Sequence, residues 1–247
     1  MNTNKKIYFA SDFHLGIPDH KSSIEREKKI VHWLDSIKHD ASEIYLVGDL
    51  FDFWFEFNLV VPKGFVRLLG KLAELSDSGI NIHVFHGNHD LWQFGYLENE
   101  IGCKVHAKAI KTEINGKKFY IAHGDGIGPG QTFFKFLLAF YRNYFFQRLF
   151  AFFHPSVGLS ISYWFSKRSR EKTYEGNANY YGDKEYHVVF AKEYLELEHV
   201  DYFIFGHRHL AMDVEVKNSH VINLGDWIKQ FSYAVFDGEK LELKKYV

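Results

Sequence analysis

The sequence predicts an α/β protein that carries its functional groups at the ends of strands, and three observations predict it. Short apolar, β-branched or aromatic runs alternate with amphipathic helical stretches over the first hundred residues, as in a parallel sheet with crossover helices. Five such runs are each followed at once by a short motif of acids, imidazoles and glycine. The stretch from Gly126 to Arg170 breaks in composition from everything around it.

The elements follow in order. Ile7-Tyr8-Phe9-Ala10 reads as a strand and runs into Ser11-Asp12-Phe13-His14. From Ser22 to His39, Ile24, Ile30, Val31, Leu34 and Ile37 recur at helical spacing. A second strand, Ile44 to Val47, leads to Gly48-Asp49-Leu50-Phe51-Asp52. Pro62 to Ser76 is a second helix, with proline near its start and Gly79 just past its end. Ile82 to Phe85 then delivers Gly87-Asn88-His89-Asp90, which completes a β-α-β-α-β order and implies parallel strands with right-handed crossovers. Lys104 to Thr112 and Lys117 to Ala122 flank Asn115-Gly116, the signal of a type I′ hairpin, and the second arm runs into His123-Gly124-Asp125.

Gly126 to Arg170 spans 45 residues without one Asp or Glu and carries six bases, Lys135, Arg142, Arg148, Lys167, Arg168 and Arg170. Ten of the 25 phenylalanines fall between Phe133 and Phe165. The spacing predicts two helices, broken at His154-Pro155 and Gly158. A further helix is expected over Asp183 to Glu198, and the strand Tyr202 to Phe205 leads to Gly206-His207-Arg208-His209. Short strands close the chain at Asp213 to Val216, His220 to Asn223, Ser232 to Phe236 and Lys240 to Tyr246, with Asp237-Gly238 turning between the last two.

At 247 residues, 46% of them hydrophobic, the chain suits one domain over 1–247 with a helical lid inserted at 126–182. A net charge of −1 is no signal for nucleic acid, and no nucleic-acid partner is expected. The single cysteine, Cys103, excludes an internal disulfide framework and fits a reducing compartment. Neither a signal-peptide core nor a run of roughly 18 uncharged apolar residues is found, so a cytoplasmic location is expected.

The chemistry rests on seven potential ligands: Asp12, His14, Asp49, Asn88, His123, His207 and His209. Asp-x-His and His-x-His spacing puts both side chains on one side of an extended segment, so each pair is expected to clamp a metal. Carboxylate, imidazole and amide oxygen without thiolate suit Mn²⁺, Fe or Zn²⁺ in an open site rather than a structural zinc. Seven ligands are too many for one ion and suit two that share a bridging carboxylate, for which Asp49 is the natural choice. Two ions roughly 3.5–4 Å apart acidify a shared water and stabilise charge on a phosphoryl group, so a two-metal hydrolase is expected. Gly48 and Gly87 would let the backbone pass close to the metals.

The order Asp-x-His, Gly-Asp-x-x-Asp, Gly-Asn-His-Asp, His and Gly-His-x-His, from Ile7 to Asn223, resembles the calcineurin-like metallophosphoesterases. The resemblance implies a four-layer αββα sandwich. It implies one metal on Asp12, His14, Asp49 and His209, and a second on Asp49, Asn88, His123 and His207. It places His89 near the scissile phosphate as proton donor or charge stabiliser, with Asp52 orienting it and with Asn88 and His207 also against the substrate. Mn²⁺ is the expected ion, with Fe or Zn²⁺ as alternatives.

Ser-Asp-Phe-His-Leu-Gly, Gly-Asp-Leu-Phe-Asp-Phe-Trp and the aromatic, basic stretch after His123-Gly124-Asp125 are similar to one branch of that family. Its members cleave the pyrophosphate of UDP-2,3-diacylglucosamine to UMP and 2,3-diacylglucosamine 1-phosphate in lipid A synthesis. A large part of the branch carries Arg where this chain has His89, so the substrate-binding role of that Arg does not transfer. A lid rich in Phe and Leu suits acyl chains, at roughly 0.8 kcal/mol per buried CH₂. Lys167, Arg168 and Arg170 are expected to pair with phosphate. An acid-free basic helix also suits an anionic membrane, at about 1 kcal/mol per base, which would make the protein peripheral on the cytoplasmic face of the inner membrane. The rivals are a phosphoesterase for a soluble nucleotide, dinucleoside polyphosphate or phosphoprotein, and a metal-poor scaffold of the same fold, against which the intact ligand set argues.

Overall fold

A computed structural model describes residues 5–173 and 179–247, without the side chains of residues 133, 167 and 169–173. In chain order it contains β1 (Lys6–Ala10), α1 (His20–Ile37), β2 (Ala41–Leu46), α2 (Val66–Asp77), β3 (Asn81–Phe85), the short α3 (Tyr96–Asn99) and β4 (Lys104–His106). The hairpin β5 (Ile110–Ile114) and β6 (Lys117–Ile121) follows, then α4 (Thr132–Arg142), α5 (Tyr144–Ala151) and α6 (Pro155–Thr173). The chain ends with α7 (Tyr186–Tyr194), β7 (Tyr202–Phe205), β8 (Ala211–Val216), β9 (Ser219–Leu224), β10 (Ser232–Phe236) and β11 (Leu241–Lys245).

Two sheets result, in the orders β11-β10-β1-β2-β3-β4 and β5-β6-β7-β9-β8. The strands β1 to β4 are parallel, as the β-α-β-α-β pattern predicts, and so are β6, β7 and β9. Alternation along each strand sorts its side chains between two cores. Tyr8, Ala10, Ile44 and Leu46 face outward onto Trp33, Leu34, Leu68 and Leu72 of α1 and α2. Ile7, Phe9, Tyr45 and Phe85 face inward and meet Phe119, Ile121, Tyr202 and Ile204 of the second sheet. On the far side, Val188 and Ala191 of α7 cover Ala122, Phe203, Phe205 and Val221. The layers are therefore helix, sheet, sheet, helix, as expected. Fully burying one of these apolar side chains contributes roughly 1.5–3 kcal/mol, so the two outer cores and the middle one together fix how the sheets sit.

Three local readings need correction. Lys104 to Thr112 is not one strand: Lys104–His106 pairs parallel with β3, and the chain then crosses to the other sheet, where the hairpin begins at Ile110. Its turn is the expected one, with Asn115 and Gly116 at φ 50° and 77°, the positive values that a type I′ turn requires. The aromatic stretch forms three helices rather than two. Asn143 starts α5 by accepting from the Phe145 N–H at 2.9 Å, and Pro155 opens α6, where its missing N–H costs nothing. Gly158 lies inside α6 and does not break it; a Cβ there would stand 3.0 Å from the Phe150 ring, so the glycine allows close packing.

These three helices dock through an aromatic cluster. Leu138 is buried with Phe55, Leu91 and Trp92, with Phe134, Tyr141 and Phe150 packed around them, and the Trp92 indole donates to the Tyr141 carbonyl at 2.7 Å. Most other apolar groups on them face outward: Phe136 is 70% exposed and Phe152 86%, and Tyr144, Phe145, Trp164 and Phe165 are also exposed. Among the described residues no helix is long and apolar enough to cross a membrane.

Candidate metal centre

All seven predicted ligands lie just past the ends of parallel strands. Asp12 and His14 follow β1, Asp49 follows β2, Asn88 follows β3, His123 follows β6, and His207 and His209 follow β7. These are the carboxyl ends of both sheets, the edge where open α/β sheets place their ligands. Two clusters form there, Asp12–His14–His209 and Asp49–His123–His207, each offering one donor atom per residue within 4.8 Å of the others. His14 and Asp49 also make a third grouping with His89.

The backbone that presents these groups is not extended. Asp12, His14, Asp49, His207 and His209 have φ of 56°, 44°, 55°, 66° and 50°, all left-handed. Such conformations cost non-glycine residues on the order of 1–3 kcal/mol each and persist only where the surroundings impose them. Here the Asp12 and His14 N–H groups donate to the Gly48 and Asp49 carbonyls at 3.1 and 2.9 Å, and the His207 N–H donates to the Asp12 carboxylate at 3.0 Å. Asp12 and His14 stay together, as their spacing suggests, but His207 and His209 do not, which matches the division of ligands that the family resemblance implies. The kinks send His207 to the cluster of Asp49 and His123, and His209 to that of Asp12 and His14.

The close approach of loops depends on missing side chains. A Cβ on Gly87 would fall 2.1 Å from an Asp49 carboxylate oxygen, and one on Gly48, at φ 84°, 2.5 Å from His123 Nδ1. His123 Nδ1 donates to the Val47 carbonyl at 2.8 Å, which turns Nε2 toward the Asp49 carboxylate at 3.3 Å and the Asn88 side-chain oxygen at 3.3 Å. In the other cluster His209 Nε2 lies 3.0 Å from His14 Nε2 and 3.2 Å from Asp12 Oδ1. Lone pairs that converge in this way, with Asp12, His14, Asp49 and His123 almost wholly buried, are compatible only around a proton or a cation. Without thiolate, the oxygen and imidazole set fits divalent transition ions.

Protonation follows from the same crowding. Burial pushes the Asp49 carboxyl upward, but the His123, His89 and His14 imidazoles outweigh it and hold the group well below the usual range. Burial pushes His123 down, and the Asp49 and Asp12 charges outweigh it and hold that imidazole well above its ordinary value. His89 is pushed down to about 4 by burial, which its nearness to Asp49 only partly offsets.

His89 and Asp52 meet, though not as expected. His89 Nδ1 lies 2.9 Å from the Asp52 backbone carbonyl, an acceptor, while the Asp52 carboxylate is 3.8 Å away and stands as close to His14 Nδ1, at 3.6 Å. The carbonyl therefore sets the His89 tautomer, and Ser166 of α6 reaches the same nitrogen at 3.3 Å. Of the bases expected to meet phosphate, the side chains of Lys167 and Arg170 lie outside the described residues, and Arg168 is exposed with its guanidinium over the Trp164 ring.

Several residues that shape the centre escaped the sequence reading. Asp90 is buried between the loops and accepts from the Leu50 and Gly87 N–H groups at 2.7 and 2.8 Å and from that of Asp49 at 3.2 Å; burial and the Asp49 charge push its carboxyl up to about 7. Its place in Gly87-Asn88-His89-Asp90 was a usable signal. Asp226, 3.9 Å from His209 Nδ1, follows β9 as the other motifs follow their strands, and its neighbour Trp227 donates its N–H to the Asp12 carbonyl at 3.1 Å. Asn223 ties the Gly206 carbonyl to His187, a contact no local pattern announces.

Comparison with known proteins agrees with this geometry. A family model described as calcineurin-like phosphoesterase matches residues 5–211. A protein named UDP-2,3-diacylglucosamine hydrolase from Porphyromonas gingivalis is 42% identical, over 97% of this chain and 97% of its own length. One of the same name from Haemophilus influenzae is 25% identical, over 92% of this chain and 93% of its own. Among solved structures, that of Yfce, a phosphoesterase from E. coli, superposes with a TM-score of 0.50 at 14% identity, covering 97% of this chain and 92% of that one, a likeness of fold.

Proposed function

The chain belongs to the calcineurin-like phosphoesterase family, and from that premise we propose that it hydrolyses the pyrophosphate bond of UDP-2,3-diacylglucosamine, releasing UMP and 2,3-diacylglucosamine 1-phosphate for lipid A synthesis. One observation carries this reading: the buried acid–imidazole clusters adjoin, through Ser166 and His89, three helices whose aromatic groups are largely exposed. A site for phosphate beside a surface for acyl chains suits a lipid-bearing sugar nucleotide. The similarity to a full-length relative of that name supports it.

In this reading two divalent cations, Mn²⁺ with Fe or Zn²⁺ as alternatives, are held by Asp12, His14, Asp49 and His209 and by Asp49, Asn88, His123 and His207. Bound there, such ions acidify water and neutralise charge gathering on a phosphoryl group. The chain's own residues do the rest. The Val47 carbonyl fixes the His123 tautomer so that Nε2 faces the centre. His89, its Nδ1–H given to the Asp52 carbonyl, turns Nε2 toward the phosphate, where in its protonated form Nε2–H donates to a phosphate oxygen and stabilises the charge there. Residues 126–182 act as the lid, with Phe136, Phe145, Trp164 and Phe165 available to acyl chains. The same acid-free face supports peripheral contact with an anionic membrane on its cytoplasmic side.

The test is hydrolysis of UDP-2,3-diacylglucosamine beside bis(p-nitrophenyl) phosphate, with Mn²⁺ or with chelator. UMP release that needs Mn²⁺ and disappears in Asp49→Asn and His123→Ala is expected. Full activity of either variant in chelator, or equal kcat/KM for UDP-glucosamine lacking its acyl chains, overturns the reading.

A further inference from the structure

A cavity opens beside the centre, with His123 in its wall. It has a volume of about 180 Å³ and lies where β3, β4 and β6 end, under the last turn of α4. His86, His106, Lys108, Tyr120, Asp125 and Arg142 also line it. We propose that this cavity takes the nucleotide end of a sugar-nucleotide substrate, its pyrimidine and ribose seated among His86, His106 and Tyr120 and its phosphate side turned toward Lys108 and His123. The assignment rests on the hydrolase activity proposed above and names the subsite for one half of that substrate.

Size, polarity and position support it. Pockets for whole drug-sized ligands measure roughly 300–1,000 Å³, so this one holds one end of a larger molecule; at roughly 30 Å³ per water it has room for about six waters. Its walls combine ring faces with imidazole nitrogens, the mixture that grips a flat heterocycle bearing donors and acceptors. Its charge is positive. Arg142 is paired with Asp125 at 3.3 Å, so those two cancel, and among the described residues exposed Lys108 makes no ion pair. Position then divides the substrate. At His89, Ser166 and Tyr163 of α6 stand close to His89 and Gly16, and α6 carries exposed Trp164 and Phe165. An amphiphile with an apolar half and a polar, anionic half would match these two neighbours of the centre. The apolar half lies along the helices and the polar half in the cavity.

The experiment uses the Mn²⁺-loaded full chain and product inhibition of bis(p-nitrophenyl) phosphate hydrolysis by UMP, uridine and inorganic phosphate. UMP is expected to inhibit more strongly than phosphate, because it adds the cavity contacts to the same phosphate contact. Lys108→Ala is expected to raise the inhibition constant of UMP about tenfold, the effect of losing one charge-assisted hydrogen bond, and Lys108→Glu more, while that of phosphate moves much less. Lys217→Ala, on the β8–β9 turn away from the centre, serves as the control and is expected to match the wild type. The proposal is overturned if UMP inhibits no better than phosphate, or if both constants shift together in the Lys108 variants. Hydrolysis of UDP-2,3-diacylglucosamine, scored separately, distinguishes the two failures. Turnover with a KM indifferent to Lys108 sinks the subsite alone. A Lys108 effect on UMP without turnover sinks the proposed substrate and leaves a nucleotide site.

Discussion

Replacing Asp90 by asparagine tests whether one buried carboxylate holds the two central ligand loops together. Asp90 is fully buried and takes backbone N–H groups from Leu50 and Gly87 at 2.7 and 2.8 Å, with Asp49 at 3.2 Å and Phe51 at 3.4 Å. All of its partners are donors. An amide keeps one acceptor oxygen, so an asparagine that serves Leu50 turns its NH₂ against the Gly87 and Asp49 N–H groups. One short bond is lost and its buried donor is left unsatisfied, at about 1–3 kcal/mol; Asp90→Ala orphans both short bonds, at about 2–6 kcal/mol. Against a typical stability of roughly 5–15 kcal/mol, the asparagine variant folds and the alanine variant is marginal. The assay is urea unfolding in chelator at pH 8, above the value of about 7 to which the Asp90 carboxyl is raised, so that a carboxylate is compared with an amide. Calorimetric titration with Mn²⁺ accompanies it and is expected to show weaker binding, because Asp90 seats the Asp49 backbone. An Asp90→Asn protein with the wild-type urea midpoint and wild-type Mn²⁺ affinity would refute the reasoning.

Two further outcomes are expected. Gly87→Ala places a Cβ 2.1 Å from the Asp49 carboxylate and 2.4 Å from the Asp49 nitrogen, so Asp49 must move; Mn²⁺ affinity should fall about 10–100-fold with circular dichroism unchanged, and wild-type affinity would count against the close approach. Burial holds the folded-state pKa of His187 at about 3, against about 6.5 unfolded, so its share of stability is fully present above pH 6.5 and is lost as pH falls toward 3. That loss amounts to about 2 kcal/mol at pH 5, and a His187→Asn protein should show a correspondingly flatter decline in urea midpoint between pH 7 and 5; equal slopes would remove His187 as the cause.

How much was legible in the sequence depends on whether the cause was local. The strand ends were legible because a run such as Ile44 to Val47 and the Gly48-Asp49 after it are contiguous in the chain. The layer order came from the family resemblance, and in the structure period-two alternation, which sends Phe9 and Tyr8 to opposite cores, is what realises it. Spacing alone treats His207 and His209 as equivalent; the resemblance separates them, and left-handed backbone at both is what sends them to different clusters. The Asp52 carbonyl could not be foreseen as the partner of His89, because every residue has a carbonyl and only the fold selects one. The split between β4 and β5 was hidden for a similar reason: an apolar run does not say which sheet it joins.

The centre sits on the seam between the sheets, and His14 and His209, 195 residues apart, meet across it. A cation held between them cross-links distant parts of the chain much as a disulfide would, and closing a loop of that length removes about 4–5 kcal/mol of freedom from the unfolded chain. Metal supply then governs more than turnover. In a metal-starved cell the apoprotein opens more often and is exposed to proteases, so the amount of enzyme falls together with its activity.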